Sequence, residues 1–444
     1  MNNLFKLLRW VLIPLFCIGG AIWLQHKQKT VWGLSEVERA RLEKAKRDEK
    51  AKKARTAEID EAKKAFFPKG TKVYVAGYEQ LANFRRSAVV WENGNVLYRL
   101  GDNETDSEAF SVFVAGEDVY VAGYEDTKRL SDIGGGLQLA RVWKNGVAQH
   151  LSEAGKGTPR FRSVFVSDGD VYVAGAELLP IDPNKAPSVM NRRFFATVWK
   201  NGKVLHRLKD GHTASSIFVV GKDVYVAGQR YTGNNNHNNR SVTVWKNGKI
   251  LHDLSIDNMP GEAGSIFVSN NDVYVAGWEM DANRRQFATV WKNGMPRYSI
   301  APDKSSALAT SVFVQGNDIY ATGWEIVKVD YFSDPKWTGI SRENATVWKN
   351  GDVLPLSGGR PLPSDNRGNP LPRTGEDIVS GQAMSIYVTG DNFWVVGNLN
   401  HANKKVATVW KNDGHIYLSD TKFESSASSV FVVQNIDINI VGGR

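Results

Sequence analysis

One motif recurs seven times and constrains this chain more than any other feature. It reads S-V-F-V, a short turn, D-V-Y-V-A-G, a variable loop, A-T-V-W-K-N-G, then a short fourth segment ending near a Leu. The cleanest copy spans 265–300, with Ser265–Val268, Asp272–Gly277 and Ala288–Gly294 as its core. Its Trp returns at Trp91, Trp143, Trp199, Trp245, Trp291, Trp348 and Trp410, at intervals of 46 to 62 residues. The first segment begins at Ser111, Ser163, Ser216, Ser265, Ser311, Ser385 and Ser429. Asp118, Asp170, Asp223, Asp272 and Asp318 lead the second. Short runs of β-branched and aromatic residues bounded by Gly, Asn and Asp are strands. Asn-Gly between the third and fourth is the turn of a tight hairpin. Each repeat is therefore four antiparallel strands.

A four-stranded unit of this length has to bury its faces on its neighbours, and radial stacking does so. The predicted fold is all-β, a seven-bladed β-propeller. The first two strands are the most continuously apolar and belong deep in each blade. The fourth admits Pro296 and Pro355, which suits an outer edge. The repeated Trp and the Tyr of V-Y-V fill the wedges between blades. The repeat region opens on a second strand, Lys72–Gly77, and closes on a first strand, Ser429–Val432, so the two ends complete one blade. A further second strand, Asp437–Gly442, is left over. If Phe66-Phe67 is a degenerate first strand, the count rises to eight blades.

Three regions follow: a membrane anchor or signal segment at 1–30, a charged helical stalk at 31–65, and the propeller at 66–444. Residues Trp10–Leu24 are almost continuously apolar, and with Leu7 and Leu8 they approach the length of a span. Ile22-Trp23-Leu24 carry the run past the small residues Gly19 and Ala21 that a signal-peptide cut needs, which favours an uncleaved anchor. Lys6 and Arg9 on a very short N-terminus place the following domain outside the cytoplasm. Basic residues after the span argue the other way. Ser35–Glu38 is a capping box that starts a helix, and Pro68 and Gly70 end it. Its apolar stripe is mostly Ala, so a solvated stalk is expected, with a weak dimer through the stalk as the alternative. Cys17 is the only cysteine. It excludes an intrachain disulfide and a Cys-based metal site, and it reads as an apolar residue of the span.

The formal charge is +9, but it is uneven: residues 1–64 hold 15 Lys/Arg against 8 Asp/Glu, a net of +7. The repeats are near neutral, so no nucleic-acid partner is expected. Strand alternation puts all second-to-third and fourth-to-first connections on one face, where the long variable segments lie. Glu79, Glu125, Glu177, Glu279 and Glu325 stand just past the second strand there. They are the candidate ligand-binding residues if the ring of carboxylates is functional. The structural alternative pairs each with a basic residue of its own loop, Glu279 with Arg285 or Arg284 in particular. His150, His206 and His252 share one position on separate outer strands, too far apart for one metal, and read as edge packing. The repeated Asp reads as a turn residue bonding its own backbone. No metal, cofactor or catalytic residue is assigned.

The V-Y-V-A-G and V-W-K-N-G units resemble those of uncharacterised bacterial β-propeller-type repeat proteins, over about residues 71–443. The resemblance implies a fold and brings no catalytic residues; the Asp-box and the Trp-Asp ending of other propellers are missing. Together these features point to a membrane-anchored binding or scaffolding propeller at a bacterial envelope, with a protein or glycan ligand on the loop face. The second reading is a glycan-acting hydrolase or lyase using loop-face carboxylates.

Overall fold

The computed structural model describes residues 36–126, 138–149, 158–182, 184, 191–232, 240–255, 259–281, 283–300, 306–329, 340–354, 356 and 380–434. The chain divides into two compact units, 1–65 and 66–444. In the first, helix α1 runs Glu36–Phe66. Its described side chains up to Glu61 are exposed, as expected of a helix that is polar all round. No described helix is long and apolar enough to cross a membrane. The proposed span and Cys17 lie outside the described residues, as do Asp437–Gly442.

The second unit is a seven-bladed propeller, its 28 described strands forming seven four-stranded antiparallel sheets. Blade 1 holds β1 (Thr71–Gln80), β2 (Arg86–Glu92) and β3 (Asn95–Leu100), with β28 (Ser425–Gln434) as its innermost strand. Blade 2 is β4–β7 (Ser107–Gln149), blade 3 β8–β11 (Thr158–Arg207) and blade 4 β12–β15 (Gly211–Asp253). Blade 5 is β16–β19 (Gly261–Ile300), blade 6 β20–β23 (Ser306–Leu354) and blade 7 β24–β27 (Gly381–Tyr417). The S-V-F-V strand lies at one end of every sheet and the fourth strand at the other. Ring closure is by the C-terminal strand: β28 pairs with β1 from Thr71↔Gln434 to Glu79↔Ser425. Phe66 ends α1 and is no strand, so the eight-blade count falls. Phe67 instead stacks on Trp394 at 5.7 Å.

Seven apolar clusters, one in each wedge between blades, form the core. The repeated Trp is at most 1% exposed in every copy. It crosses to the preceding blade: Trp291 packs with Val242 and Val244 of blade 4, and Trp143 with Ala88 and Val90 of blade 1. The Ser of S-V-F-V is the polar counterpart. Ser111 Oγ accepts from the Val164 N–H of the next blade at 3.2 Å, and Ser429 accepts from Val112 at 3.1 Å across the closure. Five more wedges hold Ser385, Ser311, Ser216 or Ser163 in the same role or the apolar cluster alone.

The Phe of S-V-F-V faces the axis. Phe113, Phe165, Phe218, Phe267, Phe313, Tyr387 and Phe431 form a closed collar with centroids 4.6 to 5.2 Å apart. Their interplanar angles, 46° to 56°, bracket the turn of about 51° between neighbours in a sevenfold ring of blades. The rings therefore stand upright along the axis.

Candidate functional site

The turn motif settles what several repeated polar residues do. Asn293 and Gly294 have φ of 50° and 88°, as a tight hairpin turn requires. Asn293 Oδ1 accepts from Val273 N–H at 2.8 Å, and its Nδ2 donates to Asp272 at 2.7 Å. Lys292 pairs with the same carboxylate at 2.7 Å and lies over Tyr274. Asp118, Asp170, Asp223 and Asp318 repeat the arrangement. The repeated Asp is thus not a turn residue bonding its own backbone; it ties the second strand to the K-N-G turn. These contacts hold each Asp carboxyl below its ordinary value, the Lys hydrogen bond being the largest cause. His206 and His252 lie against the turn glycines Gly248 and Gly294 of the next blade, where a Cβ would come within 2.9 and 2.7 Å of the imidazole. His150 lies outside the described residues.

Three of the five loop-face carboxylates are ion-paired, though not with the partners expected. Glu79 takes Arg99 at 2.6 Å, Glu125 takes Arg141 at 2.9 Å, and the buried Glu177 takes Arg207 at 3.0 Å. The bases come from the third and fourth strands, not from the loop, because a strand neighbour is fixed and a loop is not. Blade 4 reverses the charges at this position, Arg230 pairing with Asp253. Glu279 does not pair with Arg285, which goes to Asp281 at 2.9 Å. Glu279 accepts from Thr289 Oγ1 at 3.3 Å, and burial pushes its carboxyl up, as it does for Glu325. The Asn-rich stretch 233–239 lies outside the described residues.

The site itself comes from a defect repeated in every blade. The innermost strand of each sheet carries a β-bulge one residue before its Ser. A bulge re-aims one side chain, and the facing strand has to be bare for it. At Gly277 a Cβ would sit 2.1 Å from the Glu262 carbonyl oxygen, and the equivalent glycines of the other six blades show the same clash at 1.9 to 2.0 Å. The bulged residues are Phe110, Arg162, Ser215, Gly264, Thr310, Met384 and Ser428, and all seven line one cavity of about 960 Å³ on the axis. This funnel opens on the loop face, because the innermost strands enter the sheets there. Its upper wall carries Glu108, Arg160, Thr213, Glu262, Leu308 and Ser426, two residues before each bulge, with Trp278 and Trp324 beside them.

The electrostatics of the funnel are unbalanced. Glu108 has a partner, Arg86 of the neighbouring blade at 3.4 Å. Burial raises its carboxyl against the pull of Arg86 and Arg162. Glu262 forms no ion pair within 4.0 Å and no hydrogen bond among the described residues; it is an exposed residue of the cavity wall. The surrounding walls raise its carboxyl by desolvation, against Arg162 and Arg240. Arg160 lies over Phe194 at 4.6 Å and Arg162 over Phe110 at 4.9 Å. Arg240 Nε is buried without an acceptor. His212, half-buried, with Arg240 and Arg160 nearby, is lowered to about 4, chiefly by desolvation, so its imidazole is neutral at pH 7. No group of acidic or imidazole side chains suited to a metal ion is present among the described residues.

No protein-family model matches this chain, and no curated protein does. Among solved structures it is similar to a Bombyx mori GH32 β-fructofuranosidase, with 11% identity over 87% of this chain and 98% of that one and a TM-score of 0.33. Extracellular domains 1–2 of Drosophila semaphorin 1b match at 8% identity over 72% and 79%, with a TM-score of 0.32. Trypanosoma rangeli sialidase in complex with sialic acid matches at 9% over 82% and 59%, with a TM-score of 0.26. Likenesses this distant carry no argument about activity.

Proposed function

We propose that this chain is a ligand-binding propeller, tethered to a bacterial membrane by residues 10–24, whose ligand enters the axial funnel from the loop face. One observation carries the reading. Residues that repeat between blades are occupied in holding the blades together, whereas the seven bulges deliver dissimilar side chains into one cavity. A rigid scaffold with a non-repeating pit is built to recognise. Trp278 and Trp324 offer flat apolar faces beside hydrogen-bonding groups, the surface a sugar ring needs. The test is a panel of neutral and acidic oligosaccharides titrated into the full-length chain. Trp278→Ala and Trp324→Ala should each weaken binding, and Glu79→Gln on the loop face should not. Binding lost with Glu79→Gln and kept in both Trp variants would overturn the reading.

A glycan-cleaving enzyme is the second reading, and Glu262 is the observation that favours it. Hydrolysis of a glycoside generally uses two carboxyl groups flanking the bond, and the other carboxylate here, Glu108, is held by Arg86. Binding is therefore the conclusion. Release of reducing sugar that Glu262→Gln abolishes would reverse the order.

A further inference from the structure

We infer that the ligand of the funnel carries one carboxylate on a polyhydroxylated ring, an acidic sugar residue, and that Arg162 and Arg240 take the carboxylate. The inference rests on the funnel being the binding site and goes further by naming what it selects.

The first ground is a contrast within the molecule. Outside the funnel, four arginines each meet a carboxylate of their own blade: Arg99 with Glu79, Arg141 with Glu125, Arg207 with Glu177, Arg230 with Asp253. In the funnel, Arg160, Arg162 and Arg240 make no ion pair with any described residue, although Glu108 and Glu262 share their cavity. The Arg162 guanidinium carbon lies 4.9 Å from the Phe110 ring centroid and that of Arg160 4.6 Å from the centroid of Phe194. A guanidinium held over an aromatic ring still has N–H donors with which to grip a carboxylate or phosphate by two parallel bonds. Arg240 lines the same cavity, its Nε buried and without an acceptor among the described residues.

The second ground is the count of charges. The wall carries three arginines and two glutamates, with His212 neutral. Glu108 is already paired with Arg86, so the wall carries an excess of positive charge that an anionic ligand offsets. A phosphate dianion would have to approach Glu108 and Glu262 as well. Those carboxylates are acceptors for hydroxyl donors, which a sugar has and a simple anion lacks.

The experiment is calorimetric titration of the full-length chain with a glucuronate-terminated disaccharide, its glucose-terminated counterpart and glucose 6-phosphate. The acidic sugar should bind roughly tenfold or more tightly than the neutral one, and the preference should fall with added salt. Arg162→Met and Arg240→Met should bring it down to the neutral level, with Arg162→Lys retaining part of the preference. A readout without any variant guards against misfolding: the bound carboxylate should raise the His212 titration midpoint in the wild-type chain, and the neutral sugar should not. Equal binding of both sugars would overturn this inference and leave the funnel as a sugar site. Preference for the phosphate would overturn it too. If none of the probes binds and His212 does not respond, this inference and the reading beneath it fall together.

Discussion

Asn293 shows how much one side chain can decide. It sits at positive φ, accepts from the strand beside it and holds the carboxylate that also binds Lys292. Asn293→Ala should cost about 1–2 kcal/mol, from two lost hydrogen bonds and a strained turn, measured by urea denaturation. Its Asp272 partner has a depressed carboxyl. That contribution is present above the ordinary 3.8 and is lost as pH falls through the folded value. His212 gives a second prediction. Its midpoint, followed by NMR, should lie near 4 instead of 6.5. A base depressed on folding stabilises above its unfolded value, so this contribution fades as pH drops from 6.5 towards 4. A midpoint near 6.5 would show that the imidazole is in open water. The repeated residues were legible in the sequence as a set, but their partners were not. Asp272 and Lys292 are twenty residues apart, and only the antiparallel register brings them together.

At the scale of the element, the bulge links fold and site. Gly277→Ala forces a methyl group into the Glu262 carbonyl. The expected cost is about 1–3 kcal/mol, as for overpacking, together with displaced Glu262 and weaker ligand binding. Unchanged stability and binding would show that the bulge is soft. Trp291→Ala empties the wedge between blades 4 and 5 and should cost about 3–5 kcal/mol; an unaltered melting temperature would contradict the packing. Strand order, the Asn-Gly hairpins and the outer position of the Pro-bearing strand could all be read in advance, because periodicity and turn chemistry are local. The funnel could not. Attention to recurring acids led to Glu79, Glu125 and Glu177, each of which is ion-paired within its own blade. The signal lay in the column before each S-V-F-V Ser, where Phe110, Arg162, Gly264 and Met384 have nothing in common. The column varies because the bulge turns it to the axis, although Thr310 also bonds the Thr322 and Ala383 carbonyls.

On the scale of the whole molecule, the order of the chain explains the closure. A repeat region that begins with a second strand lacks an inner strand for its first blade, and β28 supplies it from the far end of the sequence. The tether is a prediction at this scale. Full-length protein should remain with membranes through high-salt washing, while a soluble form beginning near Ile22 would mark a cleaved signal instead.

The collar of upright aromatic rings has a last consequence. A charged ligand finds no partner among six Phe and one Tyr, and shedding its water there is costly. Traffic of the acidic ligand we infer would then be confined to one mouth, with β-sheet on all seven sides. A straight polymer cannot lie across the floor of such a pit; only a terminus or a side branch can descend to it. The molecule would read the tips of chains and ignore their middles, so that an enzyme trimming or capping the last residue would erase the mark without altering the rest of the polymer.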